Sequence, residues 1–205
     1  MDTTTAAKDL QYIREVMERT RRRIDTHAFH FVHWGAIVAV WYPLMNWFEI
    51  RGDGNAAGIT GIASLLVGFA LSGFFEWRLS RHPRLPGEDT FVSHQVSRAV
   101  SVCLSAAGVM TIVAPSTHFI DPQGVAVIWG LAYANMTFIV GVVYSKEYYW
   151  SAGAIFLACL AAMGFPEWSG YILGPVMGLG LLIPGLRAEL RVRAMAREES
   201  VGPAA

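Results

Sequence analysis

The chain has 205 residues, of which 54% are hydrophobic and only 16% charged, and its 16 basic and 16 acidic residues cancel. Soluble domains carry about 25% charged residues, so this composition is typical of a polytopic membrane protein, and we expect no nucleic-acid partner. The two cysteines, Cys103 and Cys159, lie in apolar stretches without a Cys-x-x-Cys spacing. This pattern argues against a disulfide framework and against a zinc site.

The N-terminal tail, residues 1–28, alternates charged and apolar residues. Leu10, Met17, Ile24 and Phe31 are seven residues apart, a spacing that predicts an amphipathic cytoplasmic helix leading to the first apolar stretch. Its basic cluster is Arg21, Arg22 and Arg23. Two interpretations stay open: the cluster contacts anionic lipid headgroups, or the helix is a surface for a cytoplasmic protein partner or a second copy of the chain.

Six stretches contain no Asp, Glu, Lys or Arg, and together they fill most of the chain. They are residues 26–48, 54–75, 99–120, 122–145, 148–166 and 168–186. A helix of about 20 apolar residues spans the ~30 Å hydrocarbon core of a bilayer. We therefore predict an all-α protein with six transmembrane helices in three hairpins within residues 29–186, followed by a cytoplasmic tail, residues 187–205.

The connections between these stretches differ in charge. All but one of the 16 basic residues fall in the two tails or in the second and fourth connections, and the exception is Arg51. The first, third and fifth connections carry Glu49, Asp53, Asp121 and Glu167. Because positive loops stay in the cytoplasm, we predict that both termini are cytoplasmic and that the protein resides in a bacterial inner membrane.

Small residues and short connections predict which helices pack together. Gly174 and Gly178 in the sixth stretch, and Gly61, Ser64 and Gly68 in the second, form strips along which helix backbones can approach closely. We expect these strips to serve internal packing rather than dimerisation. The last two connections are short, so helices four, five and six should be successive antiparallel neighbours.

Polar side chains inside the apolar stretches are candidate functional residues. Asn135 lies near the middle of the fourth stretch, where an amide needs partners, so we expect it to face the bundle interior. It could join helices, or it could contact a ligand in a central cavity together with Asn46, Thr111 and Tyr133. Glu76 is the charged residue closest to mid-depth and is a candidate proton site, although an interfacial carboxylate can also be purely structural.

Histidines gather on the predicted cytoplasmic side. His30 and His33 lie one turn apart at the start of the first stretch, and His94 lies before the third. Imidazoles grouped in this way could bind a metal or haem, or they could be ordinary interfacial residues. Phosphate loops, nucleophile elbows and dinucleotide fingerprints are absent from the sequence, so we predict no cofactor and do not expect an enzyme.

Three short motifs carry a resemblance. They are Ile13 to Arg19, His33-Trp34-Gly35 and Ile183-Pro184-Gly185. The chain resembles a family of bacterial six-helix membrane proteins that have an amphipathic helix before the first span, Trp-Gly at its start, and Ile-Pro-Gly at the end of the last. That family is functionally uncharacterised, so the resemblance implies a fold and no activity.

Three functions remain open at this point. The most strongly patterned polar region is cytoplasmic, which favours a regulatory or interaction protein. A carrier or channel for a small neutral or apolar solute, lined around Asn135, is the alternative. A membrane enzyme or a metal or haem protein using the histidine cluster is the third.

Overall fold

A computed structural model describes residues 8–15, 28–81, 91–116, 122–143 and 145–200. These residues are almost entirely helical and include no strand. Residues 8–15 are helical, as predicted for the tail, whereas Arg21, Arg22 and Arg23 lie outside the described residues. The long helices, in chain order, are α1 (Phe29–Ile50), α2 (Gly54–Ser80), α3 (Phe91–Ser116), α4 (Pro122–Val143), α5 (Lys146–Gly164) and α6 (Ser169–Ser200).

Helix boundaries follow from local chemistry. Between α1 and α2, Gly52 adopts a positive φ of 74°, which residues with a side chain rarely adopt. The next residue, Asp53, accepts a hydrogen bond from the Ala56 N–H at 3.0 Å and so caps α2. The side chain of Ser145 caps α5 in the same way, and a 3₁₀ turn, Pro166–Trp168, precedes α6.

Each apolar stretch of the sequence overlaps one long helix. By length and composition, three segments within the described residues can cross a membrane: Gly54–Arg78, Gly124–Val143 and Pro166–Arg191. The prediction of an all-α protein with membrane-compatible helices is therefore confirmed. The helix α6 continues to Ser200, so the predicted boundary at residue 187 does not coincide with a helix end.

Helices that follow each other in the chain run antiparallel, and α6 is the central helix. Its most extensive interface is with α1, and its interfaces with α5 and α4 are smaller, in that order. Helices α4 and α5 also pack closely, which confirms the predicted packing of the last three helices. The helix α2 packs on α1, and α3 packs on α4, at opposite edges of the assembly.

The two ends of the assembly differ in charge, and we name them accordingly. The basic end holds the starts of α1, α3 and α5 and the ends of α2, α4 and α6. Its described basic residues are Arg78, Arg81, Arg98, Lys146, Arg187 and Arg191. The acidic end holds the α1–α2 and α5–α6 connections, with Glu49, Asp53 and Glu167.

Glycines on α6 bring it into backbone contact with α1. A Cβ added to Gly178 would lie 2.5 Å from the Ala39 Cβ and 2.8 Å from the Ala39 Cα. At Gly174 the nearest atom would be the Cδ of Pro43, at 2.5 Å. Because no side chain fits in these gaps, this strip serves internal packing, as predicted.

Candidate functional site

The most elaborate polar junction joins α1 to α2 at the basic end. The His33 Nδ1 lies 2.8 Å from the Phe29 carbonyl oxygen, and its Nε2 lies 2.9 Å from the Ser72 hydroxyl. The Trp34 indole N–H donates to the same hydroxyl at 3.1 Å. For a neutral His33, these contacts give one consistent proton arrangement: His33 donates from Nδ1, Ser72 donates to Nε2, and Trp34 donates to Ser72.

One turn nearer the end of the assembly, His30 contacts Glu76. The His30 Nε2 lies 2.8 Å from the Glu76 Oε1, and the glutamate side chain is 51% exposed. A half-exposed pair at a helix end holds α1 and α2 together but contributes little stability, because water screens it. Glu76, the candidate proton site, is thus part of an interhelical bridge.

The histidines do not assemble into a metal site in the part of the chain that the structure describes. His30 and His33 are adjacent, with ring centroids 5.4 Å apart, but both already bond to α2 or to their own helix. No group of three His, Cys, Asp or Glu side chains among the described residues could hold a metal ion. The joint metal or haem site at His30, His33 and His94 therefore stays a prediction that this geometry does not support.

A second charged junction joins α5 to α6 at the same end. The Glu147 Oε1 lies 3.2 Å from the Arg187 Nη1, and the Glu147 Oε2 lies 3.9 Å from the Arg191 Nη1. Arg187 and Arg191 are one helical turn apart, so both can reach one carboxylate. The junction carries one negative and two positive charges, which leaves this part of the basic end positive.

At the acidic end, Asn46 joins α1 to the α5–α6 connection. Its Nδ2 donates to the Glu167 carbonyl oxygen at 2.7 Å, and its Oδ1 accepts from the Gly170 N–H at 2.5 Å. The side chain is buried, with 3% of its surface exposed. Both halves of the amide are therefore used for structure, although Asn46 was predicted as a candidate ligand-lining residue.

A polar cavity of about 250 Å³ adjoins this amide and is lined by Asn46, Glu49, Ile50 and Glu167. Partial burial raises the pKa of the Glu49 carboxyl above its ordinary value, because burial disfavours the charged form. The folded protein therefore binds a proton at Glu49 more tightly than the unfolded chain does. Its stability must fall as the pH rises through the raised pKa.

Replacing Glu49 with Gln should remove this pH dependence. We expect the E49Q variant in detergent to unfold at a higher temperature than the wild type near neutral pH, and at a similar temperature near pH 4, where the carboxyl is protonated in both states. Thermal unfolding measured across this pH range checks the prediction. Parallel pH profiles for the two proteins would contradict it.

The remaining ligand-lining candidates do not converge on a cavity. Asn135 is exposed and donates to the Leu131 carbonyl oxygen of its own helix at 2.9 Å, so the prediction that it faces the interior is wrong. Thr111 accepts a hydrogen bond from the Trp129 indole at 2.8 Å and thereby joins α3 to α4. Tyr133 is buried in the apolar core beside Cys159 and Met177.

The other cavity described in the structure is an open groove along the surface of α3. It has a volume of about 520 Å³ and a mostly apolar lining, formed by Ser101, Val102, Ser105, Ala106, Val109 and Met110. All of these residues belong to one helix. The groove is therefore a surface feature and does not form a passage between helices.

Several contacts that polar residues make between helices were not predicted from the sequence. Ser72 was not singled out, although it joins His33 and Trp34. The spacing of Arg187 and Arg191 by four residues was the available signal for the Glu147 junction. For Asn46 the sequence offered no signal, because its partners are backbone atoms more than a hundred residues away.

No protein-family model, curated protein or solved structure matches this chain.

Proposed function

We propose that this chain is a six-span integral protein of a bacterial inner membrane, with both termini cytoplasmic, and that it acts as a regulatory or interaction protein. The apolar surface supports the membrane assignment. Within α2, only 11% of the most apolar 18-residue segment is buried. Leu66 and Phe69 on α2 and Leu157 on α5 are each 66% exposed. In water such a surface would drive aggregation, whereas lipid covers it without cost.

One observation carries the choice of function: the charged contacts between helices gather at the basic end. The His30–Glu76 pair joins α1 to α2 there, and Glu147 joins α5 to α6 through two arginines. Between the two ends, α1 and α6 meet through glycine, alanine and proline with no room for a solute. A protein whose described ion pairs between helices lie at one surface is suited to binding a charged partner at that surface.

The basic tail before α1 would extend this surface. It carries Arg21, Arg22 and Arg23, and in the sequence it immediately precedes α1, whose His30 pairs with Glu76. A partner or a lipid surface that attracts the tail would thus act on the α1–α2 junction. This arrangement is the physical route by which binding outside the bilayer could change the packing within it.

Deleting residues 1–25 should abolish partner binding while leaving the membrane domain intact. We expect affinity capture of the full chain from detergent-solubilised membranes to recover cytoplasmic proteins that the deleted chain does not recover. The matched variant replaces Arg21, Arg22 and Arg23 with Gln and keeps the helix. An unchanged partner set in the deleted chain would contradict the proposal, and loss in the triple variant would assign the binding to charge.

The carrier or channel alternative has less support. It required Asn135, Thr111 and Tyr133 to line a shared cavity with Asn46, but Asn46 lines the acidic-end cavity without the other three. The enzyme, metal or haem alternative required the histidines to converge, and His30 and His33 instead bond to α2. The interaction function therefore has more support than either alternative.

A further inference from the structure

Each of the first two helices ends with the same two-residue arrangement. The Arg51 guanidinium lies over the Trp47 ring, 3.8 Å from its centroid. The Arg81 guanidinium lies over the Trp77 ring, 3.7 Å from its centroid. In both cases the tryptophan belongs to the last turn of the helix, and the arginine follows the last helical residue.

The backbone explains why the arrangement repeats. Arg51 keeps helical dihedral angles, and its N–H donates to the Trp47 carbonyl oxygen at 3.4 Å, so the two side chains stack one turn apart. The Arg81 N–H donates to the Arg78 carbonyl oxygen at 3.3 Å, which continues the turn past Ser80. A cation at a helix C-terminus is also favoured by the helix dipole.

Stacking leaves the binding capacity of the guanidinium intact. The Cζ atoms lie 3.8 and 3.7 Å from the ring centroids, a distance at which a planar guanidinium can stack on the indole and keep the N–H donors at its edge available in pairs for an anion. The two tryptophans are 38% and 52% exposed, and both arginines are exposed. Each pair therefore offers a flat apolar ring beside a fork of donors.

The positions of the pairs match the two surfaces of a bilayer. Because α1 and α2 are antiparallel, Trp47–Arg51 lies at the acidic end and Trp77–Arg81 at the basic end. From Gly54 to Trp77, α2 rises about 35 Å at 1.5 Å per residue, close to the ~30 Å of a hydrocarbon core plus a margin at each side. Tryptophan rings prefer this interfacial depth.

Among the described residues, the carboxylates near the two arginines are paired, used as a helix cap or partly buried. Asp53, two residues from Arg51, caps α2 through the Ala56 N–H. Glu49 is partly buried beside the Asn46 cavity. At the basic end, Glu76 bonds to His30. An external anion can thus approach both guanidinium groups, and in a bilayer the abundant anion at this depth is the phosphate of a lipid.

We propose that Trp47–Arg51 and Trp77–Arg81 are binding sites for the phosphate diester of a glycerophospholipid, one site in each leaflet. The proposal rests on the membrane-spanning function proposed above. It also gives a role to Arg51, the one basic residue that departs from the charge bias of the connections. At the acidic end, a basic residue is useful if it contacts lipid phosphate.

Native mass spectrometry of the full-length protein, titrated with phosphatidylglycerol in detergent, tests the proposal. We expect R51Q and R81Q each to lose one tightly bound lipid, with affinity about tenfold weaker at that site. R51K and R81K keep the charge but lose the paired donors, so they should bind with intermediate affinity. The matched control is R98Q, an exposed arginine of the basic end that stacks on no ring among the described side chains.

Several outcomes would overturn the site. They are unchanged lipid binding in R51Q and R81Q, an equal loss in R98Q, equal binding of a phosphate-free diacylglycerol, and displacement of lipid by millimolar inorganic phosphate. Alkaline extraction of membranes separates this failure from failure of the proposed function. Release of the chain into the aqueous fraction would reject the membrane assignment, whereas retention with unchanged lipid binding would reject the two sites alone.

Discussion

Replacing Gly178 with Leu should separate α1 from α6 and unfold the assembly. A Cβ at this position would lie 2.8 Å from the Ala39 Cα and 2.9 Å from the Ala39 N, so the obstacle is backbone that cannot move aside. We expect the free energy of unfolding to fall by roughly 3 kcal/mol, the upper end of the range for overpacking. Thermal unfolding in detergent, followed by circular dichroism and size-exclusion chromatography, measures the loss.

Gly153 on α5 provides the matched control. It is also a helical glycine, but a Cβ built there meets no atom within 4 Å. The G153L variant should therefore be as stable as the wild type or slightly more so, because glycine costs up to about 1 kcal/mol in a helix. Equal losses in G178L and G153L would show that the α1–α6 contact is not the cause.

Replacing Asn46 with Leu should also lower the free energy of unfolding strongly. Here the cause is the loss of polar contacts rather than crowding of the backbone. The variant leaves the Gly170 N–H and the Glu167 carbonyl oxygen without their partner, in a place where the Asn46 side chain was 3% exposed. Each unsatisfied buried group costs about 1–3 kcal/mol. We expect a total near 3 kcal/mol, measured by thermal unfolding, with early proteolysis between α5 and α6.

The control for this prediction is Asn135→Leu, which removes the same amide from an exposed position. Asn135 bonds only within its own helix among the described contacts, so its loss should change stability by about 0.5 kcal/mol or less. Asn46→Asp keeps an acceptor for the Gly170 N–H but places a second carboxylate oxygen against the Glu167 carbonyl oxygen, so near neutral pH it should be about as damaging as N46L. If N135L were the more damaging variant, the assignment of Asn46 as the interhelical clamp would be wrong.

The approximate position of each helix could be predicted from the sequence because charged residues interrupt the apolar stretches. Stretches free of Asp, Glu, Lys and Arg overlap all six long helices, and Asp53 and Ser145 stand at two starts. The end of α6 could not be predicted this way. The sequence predicts a tail from Arg187 onward, yet Arg187 and Arg191 continue the helix and bind Glu147.

The direction that each helix faces was much harder to predict. A helix that is apolar on every side has no polar face to distinguish interior from exterior. Asn135 illustrates the difficulty, because its amide finds a partner in the Leu131 carbonyl of its own helix and needs no neighbour. The glycines of α6 indicated a close contact correctly, but nothing in their spacing identified α1 as the partner.

The dominance of the α1–α6 interface has a consequence for biosynthesis. The ribosome makes α1 well before α6, since these helices begin at Phe29 and Ser169. Until α6 has been translated, α1 has α2 as its main companion, and the glycine-lined surface that will receive it does not yet exist. A polypeptide released before α6 therefore lacks the closing element of the structure and should be a preferred substrate for membrane quality-control proteases.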